Sequence, residues 1–177
     1  MTSNPSGSER ILGSLRSDEG TGIVRMEDRF PTGIDDLWSA LTDPRRLARW
    51  IAEVEGDLRP GGDFGARYLD GALVVTGHVD ACQPPQRLAV TIRDTDPHPG
   101  QPEETVIELT LSADGDQTIL VAEERGLPLP LLAAYGAGIQ IHLENLAAHL
   151  AGRELAGEER WDELIPAYSS LAADLGQ

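Results

Sequence analysis

Six short alternating segments follow one another between Glu53 and Glu124, most of them joined by hairpin-length turns, and this succession leaves little choice of architecture. Val54, Gly56 and Leu58 alternate with Glu53, Glu55 and Asp57 ahead of the turn Pro60-Gly61-Gly62-Asp63, and Phe64, Ala66 and Tyr68 lead into Asp70-Gly71. Leu73 to Cys82 places Val75, Gly77, Val79 and Ala81 on one face and stops at Pro84-Pro85. Leu88, Val90 and Ile92 form the next segment, before a loop from Asp94 to Pro102 whose prolines preclude a central strand. Ile107, Leu109 and Leu111 then pair across Ala113-Asp114-Gly115-Asp116 with Thr118, Leu120, Ala122 and Glu124. An earlier strand, Ile23 to Phe30, carries Val24, Met26, Asp28 and Phe30 on one face. Seven strands so connected imply one antiparallel sheet.

A sheet with one dry face needs a cover, and the stretch from Leu127 to Arg153 is the longest helical pattern available. At roughly 100° per residue, Leu132, Tyr135, Ile139, His142, Leu143, Leu146 and Leu150 share one face, and Gln140 and Glu144 point away from it. Pro128 and Pro130 suit its start and Gly152 its C-terminal cap. Two small helices interrupt the sheet after its first strand. Ile34, Leu37, Trp38 and Leu41 belong to one, and Arg45 to Trp50 forms the other beyond Thr42-Asp43-Pro44. A further amphipathic helix runs from Glu158 to Leu175, interrupted at Pro166. At the other end, residues 1–7 read as a disordered tail, Ser8 to Arg16 as a short helix presenting Ile11, Leu12 and Leu15, and Ser17 to Gly22 as a loop. The expected division is a tail and short helix over 1–21, one α+β domain over 22–153, and a helical extension over 154–177.

The chain has 177 residues, 40% of them apolar, enough for one sizeable core. Its formal net charge of −16 repels phosphate backbones and anionic lipid, so neither nucleic acid nor a membrane is an expected partner. Cys82 is the lone cysteine and cannot form an intrachain disulfide. The N-terminal stretch lacks the charged-then-apolar pattern of a signal segment, so a cytoplasmic location is expected.

A specific likeness rests on the order and spacing of several motifs. They are Trp38-Ser39-Ala40-Leu41-Thr42-Asp43-Pro44 with Leu47 and Trp50, then Pro60-Gly61-Gly62-Asp63-Phe64, Gly77-His78-Val79, Pro84-Pro85-Gln86-Arg87-Leu88, and Leu143 to Gly152. With these, Ile23 to Gly152 resembles the START-like (SRPBCC) superfamily, and within it the family named after the activator of the ninety-kilodalton heat-shock chaperone's ATPase. The resemblance implies a helix-grip fold: a curved seven-stranded antiparallel sheet wrapped around the long C-terminal helix, with a cavity between them. Where such relatives often carry Trp after the Pro-Pro strand and a Gly-Trp pair in the helix, this chain has Ile92 and Gly138-Ile139. Branched aliphatics there should reshape the cavity and leave more room in it.

Candidate binding residues follow from inward parity. Trp50, Tyr68 and Tyr135 are amphipathic aromatics whose indole and phenol groups need partners when buried. Ile92 and Ile139 are the apolar candidates, and Glu124 and His142 the titratable ones. The resemblance makes the strands of Asp28 and Glu124 neighbours, so the two carboxylates could raise each other's pKa and hold a proton or a cation; the alternative is that each meets water or an arginine. His142 and His149 lie about 10 Å apart along the helix, too far to share a metal. His78 has outward parity. Neither metal nor cofactor is expected, and no nucleophile–base pairing or phosphate loop is visible.

The expected role is non-catalytic binding of a small apolar or amphipathic molecule between sheet and helix. Two alternatives stay open: a chaperone-associated interaction protein, as the family's name suggests, and a cyclase- or hydratase-like enzyme using a few polar cavity residues. A homodimer through exposed apolar surface is also open, because fold does not fix function.

Overall fold

A computed structural model describes residues 10–71 and 73–176. The expected tail over 1–7 lies outside them. One antiparallel sheet carries eight strands: β1 (Gly13–Asp18), β2 (Thr21–Phe30), β3 (Ala52–Gly56), β4 (Asp63–Tyr68), β5 (Val74–Gln83), β6 (Arg87–Asp94), β7 (Thr105–Asp114) and β8 (Gln117–Leu127), in the order β1-β2-β8-β7-β6-β5-β4-β3. Helices α1 (Ile34–Thr42) and α2 (Pro44–Trp50) join β2 to β3. Helix α3 (Leu132–Ala151) follows a single 3₁₀ turn at Leu129–Leu131, and α4 (Glu158–Asp174) ends the chain.

The eighth strand corrects the expected short helix before Arg16. Ile11, Leu12 and Leu15 have helical spacing, yet Leu15 pairs with Val24 and Gly13 with Met26 on an extended strand. The expected loop over 17–22 is a two-residue hairpin: Asp18 pairs with Thr21, and Glu19 and Gly20 both take positive φ, 49° and 87°. That geometry matches the twist of flanking strands. Strand pairing outweighs the weak propensity of a short isolated helix.

Asp43 caps α2, its side chain accepting from the Arg45 amide, with Pro44 at the first helical position. Trp50 is buried and its indole N–H donates to the Ala40 carbonyl at 3.0 Å, stapling α2 to α1. Gly152 ends α3 in the left-handed region at φ 66°.

The contiguous core joins Val24, Met26, Phe30, Leu111, Leu120 and Ala122 of the sheet to Leu132, Ala137, Leu143 and Leu146 of α3 and to Leu164 and Tyr168 of α4. Helix α3 therefore has a sheet on one side and α4 on the other. Gln140 and Glu144 sit on this second side, in keeping with their helical spacing. They point away from the sheet, and α4 and the chain before β1 cover that side.

Gln140 is fully buried; its carbonyl accepts from the Leu12 amide at 3.0 Å and the Tyr168 hydroxyl at 2.5 Å, and its amide donates to the Arg10 carbonyl at 2.7 Å. Glu144 takes two hydrogen bonds from Arg160 of α4, at 2.6 and 2.8 Å. Gly136 faces the Tyr168 ring so closely that a Cβ there would meet it at 2.5 Å, and one at Gly138 would meet Trp161 at 3.3 Å. The small residues of α3 are thus the seat of α4. Pro166 does not interrupt α4 but stands on its exposed face, where the unpaired carbonyl of the preceding turn can be hydrated.

Candidate functional site

The inner face of the sheet is set by the ladder. Glu124 on β8 stands opposite Val24 of β2 and Ile107 of β7, so its side chain shares their face. Thr105 of β7 lies diagonally beside it and opposite Ile92 of β6, which is itself opposite Gly77 of β5. Gly77 is needed because the Phe64 ring crosses it: a Cβ there would lie 2.1 Å from the ring's Cζ. Val75 and Val79 are buried on this same face yet do not join the contiguous core. The closest backbone neighbours of α3 are β1, β2, α2 and α4, so the helix lies toward one side of the sheet. The inner face of the β4–β6 half has no comparably close backbone approach from α3.

Tyr68, Glu124, Tyr135 and His142 converge on that surface from β4, β8 and α3. The Tyr68 and His142 rings are tilted by 39° with centroids 5.5 Å apart. Thr105 Oγ1 donates to Glu124 Oε1 at 2.8 Å. Burial pushes the Glu124 pKa up to about 7, although the Thr105 bond opposes the rise. Burial, and then the Glu124 charge, raise the phenols of Tyr68 and Tyr135 above the ordinary tyrosine range. Burial also lowers the His142 pKa, which keeps its imidazole neutral at pH 7.

Glu124, Tyr68 and His142 lie deep in the protein but each keeps some accessible surface. Apart from the Thr105 bond, no side-chain polar atom of Glu124, Tyr68, Tyr135 or His142 has a hydrogen-bond partner among the described residues, and none of these unpartnered atoms is sealed away from a water-sized sphere. Deep groups with open, unpartnered polar atoms are what the lining of an internal space looks like. Ile92 and Ile139 are also partly accessible, and Ile139 packs on the edge of the core.

Of the seven candidates, six fall on this surface or its edge and Trp50 does not. Its indole is satisfied within α1 and α2. Thr105 was missed, although its parity with Ile107, Leu109 and Leu111 was visible in the sequence.

Asp28 and Glu124 share a face of adjacent strands, but Asp28 is opposite Leu120, four positions from Glu124, and binds Arg10 at 2.8 Å. The two form no dyad. His78 points outward to Asp63 at 2.7 Å, and His149 accepts from Arg46 at 3.3 Å near α2. Burial raises the Cys82 thiol pKa, the wrong direction for a nucleophile.

Two surface depressions lie elsewhere. One of about 680 Å³ opens on the outer face of β3–β6 around Gly65, Thr76, His78 and Arg93, and one of about 180 Å³ lies beside Arg10 and Asp28. Neither includes any of the seven candidates. Among the described residues no cluster of three or more His, Cys, Asp or Glu is arranged to hold a metal, and no helix is long and apolar enough to cross a membrane.

The fold and sequence have clear relatives. CalU16 from Micromonospora echinospora matches with 28% identity and a TM-score of 0.74 over 90% of this chain and 95% of that one. DynU16, a protein of the dynemicin biosynthetic locus, matches with 26% identity and a TM-score of 0.67 over 77% of this chain and 50% of that one. MLL2253 from Mesorhizobium loti is 25% identical with a TM-score of 0.65, over 75% of this chain and 99% of that one. No curated protein matches significantly. Residues 31–151, from the end of β2 to the end of α3, match the family model described as Activator of Hsp90 ATPase homolog 1-like protein. With about two thirds of its length matched, including both walls of the interior surface, the chain belongs to that family.

Proposed function

We propose that the chain binds a small amphipathic molecule between the inner face of the sheet and α3. Glu124, Tyr68, Tyr135 and His142 would be its polar contacts, and Ile92 and Ile139 its apolar ones. The observation that carries this reading is the set of deep polar groups with open atoms and no protein partners. Open polar atoms of this kind hydrogen-bond water in the free protein, and a ligand's polar atoms would take the place of that water. The setting of DynU16 in a biosynthetic locus supports a small-molecule ligand over a macromolecular one.

Thermal denaturation against a panel of apolar and amphipathic compounds tests the reading. A compound at one hundred times its dissociation constant should stabilise the protein by about 2.7 kcal/mol. Ile139→Trp, which fills the space, should remove the effect. Stabilisation that survives Ile139→Trp, or none across the panel, would count against it.

A second reading is favoured by one observation, the near-neutral pKa of Glu124, which suits a general acid–base group. A cyclase- or hydratase-like activity would be lost in Glu124→Gln while the ligand still bound. A chaperone-associated role through the outer surface would instead leave pull-down of the partner unchanged by Ile139→Trp.

A further inference from the structure

The charges that act on Tyr68, Tyr135 and His142 are carboxylates. Glu124 supplies a carboxylate from β8 with Oε1 held by Thr105 and Oε2 open. Asp70, in the turn after β4, acts on both Tyr68 and His142, and Asp94, at the end of β6, acts on Tyr135. No arginine is among the charges that act on Glu124, Tyr68, Tyr135 or His142. Among the described residues Glu124 makes no ion pair. His142, from α3, does not supply the missing positive charge because burial keeps it neutral.

A deep carboxylate with no counter-charge is costly in a folded protein, and a tyrosine ring has a negative face that attracts a cation. We infer that the interior site selects a ligand carrying a protonated amine on an apolar body, with the ammonium against Glu124 between the rings of Tyr68 and Tyr135. The amine would meet the open Oε2 in a charge-assisted hydrogen bond, and Asp70 and Asp94 would draw the cation toward the site. A ligand anion would be repelled by all three carboxylates. This inference rests on the proposed binding site and adds the class of its ligand.

Calorimetric titration at pH 8, where Glu124 is ionised, with 4-phenylbutylamine, 4-phenylbutan-1-ol and 4-phenylbutanoate tests it. The amine should bind about tenfold or more tightly than the alcohol, the carboxylate least. Glu124→Gln should abolish the preference for amine while leaving alcohol binding within about twofold, since the glutamine retains the side chain's shape. Ile139→Trp leaves the surface charge unchanged, so amine binding that persists in it would be surface binding of a cation to an acidic protein and would overturn the inference. Equal affinity of amine and alcohol, both lost in Ile139→Trp, would overturn the amine preference and leave the binding site standing. Binding of none of the three would overturn both.

Discussion

Thr105 Oγ1 and Glu124 Oε1 meet at 2.8 Å across the β7–β8 ladder, and among the described residues this is the single hydrogen bond to a carboxyl group deep on the sheet's inner face. Burial outweighs it, so the group stays protonated until near neutral pH.

Glu124 should therefore titrate near pH 7 by carbon-13 NMR rather than in the ordinary carboxylate range. A folded-state pKa above the unfolded one stabilises the protein below the unfolded value, and that stability is lost as pH rises through the folded value. Wild-type stability should fall between about pH 4.5 and 7, by on the order of 2 kcal/mol. In Glu124→Gln this component of the pH dependence should vanish. Chemical denaturation at several pH values checks it.

Thr105→Val removes the one donor that favours the ionised form. The Glu124 midpoint should move up, by up to about one unit. A downward shift would mean that the hydroxyl does not hold the carboxylate.

The Gln140–Tyr168 pair locks both chain ends to α3. Tyr168→Phe removes the hydroxyl that accepts from the Gly13 amide at 3.0 Å and donates to Gln140. A loss of about 1–3 kcal/mol is expected, with faster hydrogen exchange at Leu12 and Gly13 and little change in the far strands β3 to β5.

The two glycines of α3 should differ. Gly136→Ala drives a Cβ into the Tyr168 ring and should cost about 1–3 kcal/mol, because that ring is fully buried. Gly138→Ala meets only the half-exposed Trp161, and its gain in helix propensity, up to about 1 kcal/mol, should leave it neutral or slightly stabilising. Thermal melts of the two variants separate them.

Most of the sheet was legible because period-two alternation and turn chemistry act locally. Glu124 stood out by breaking an apolar face, and its inward position is what the ladder shows. β1 was missed because Ile11, Leu12 and Leu15 fit a helical spacing, and only pairing with β2 distinguishes the two. The burial of Gln140 was not legible, because a helical wheel tells which face a residue shares, not whether a second helix will cover it. Trp50 had inward parity, but whether an indole lines a space or closes one depends on an acceptor, here the Ala40 carbonyl, that sequence spacing does not reveal. The neighbourhood of Asp70, Asp94 and Glu124 emerges only from the strand order that brings the turn after β4, the end of β6 and strand β8 to one sheet.

The central claim is that an accessible space, lined by Glu124 and floored by Ile139, holds a small molecule. Native mass spectrometry of the protein purified from its own host, beside Ile139→Trp purified in the same way, tests it most directly. The account predicts a non-covalent adduct on the wild-type chain that is absent from Ile139→Trp; a wild-type spectrum free of any adduct, or the same adduct on both proteins, would contradict it.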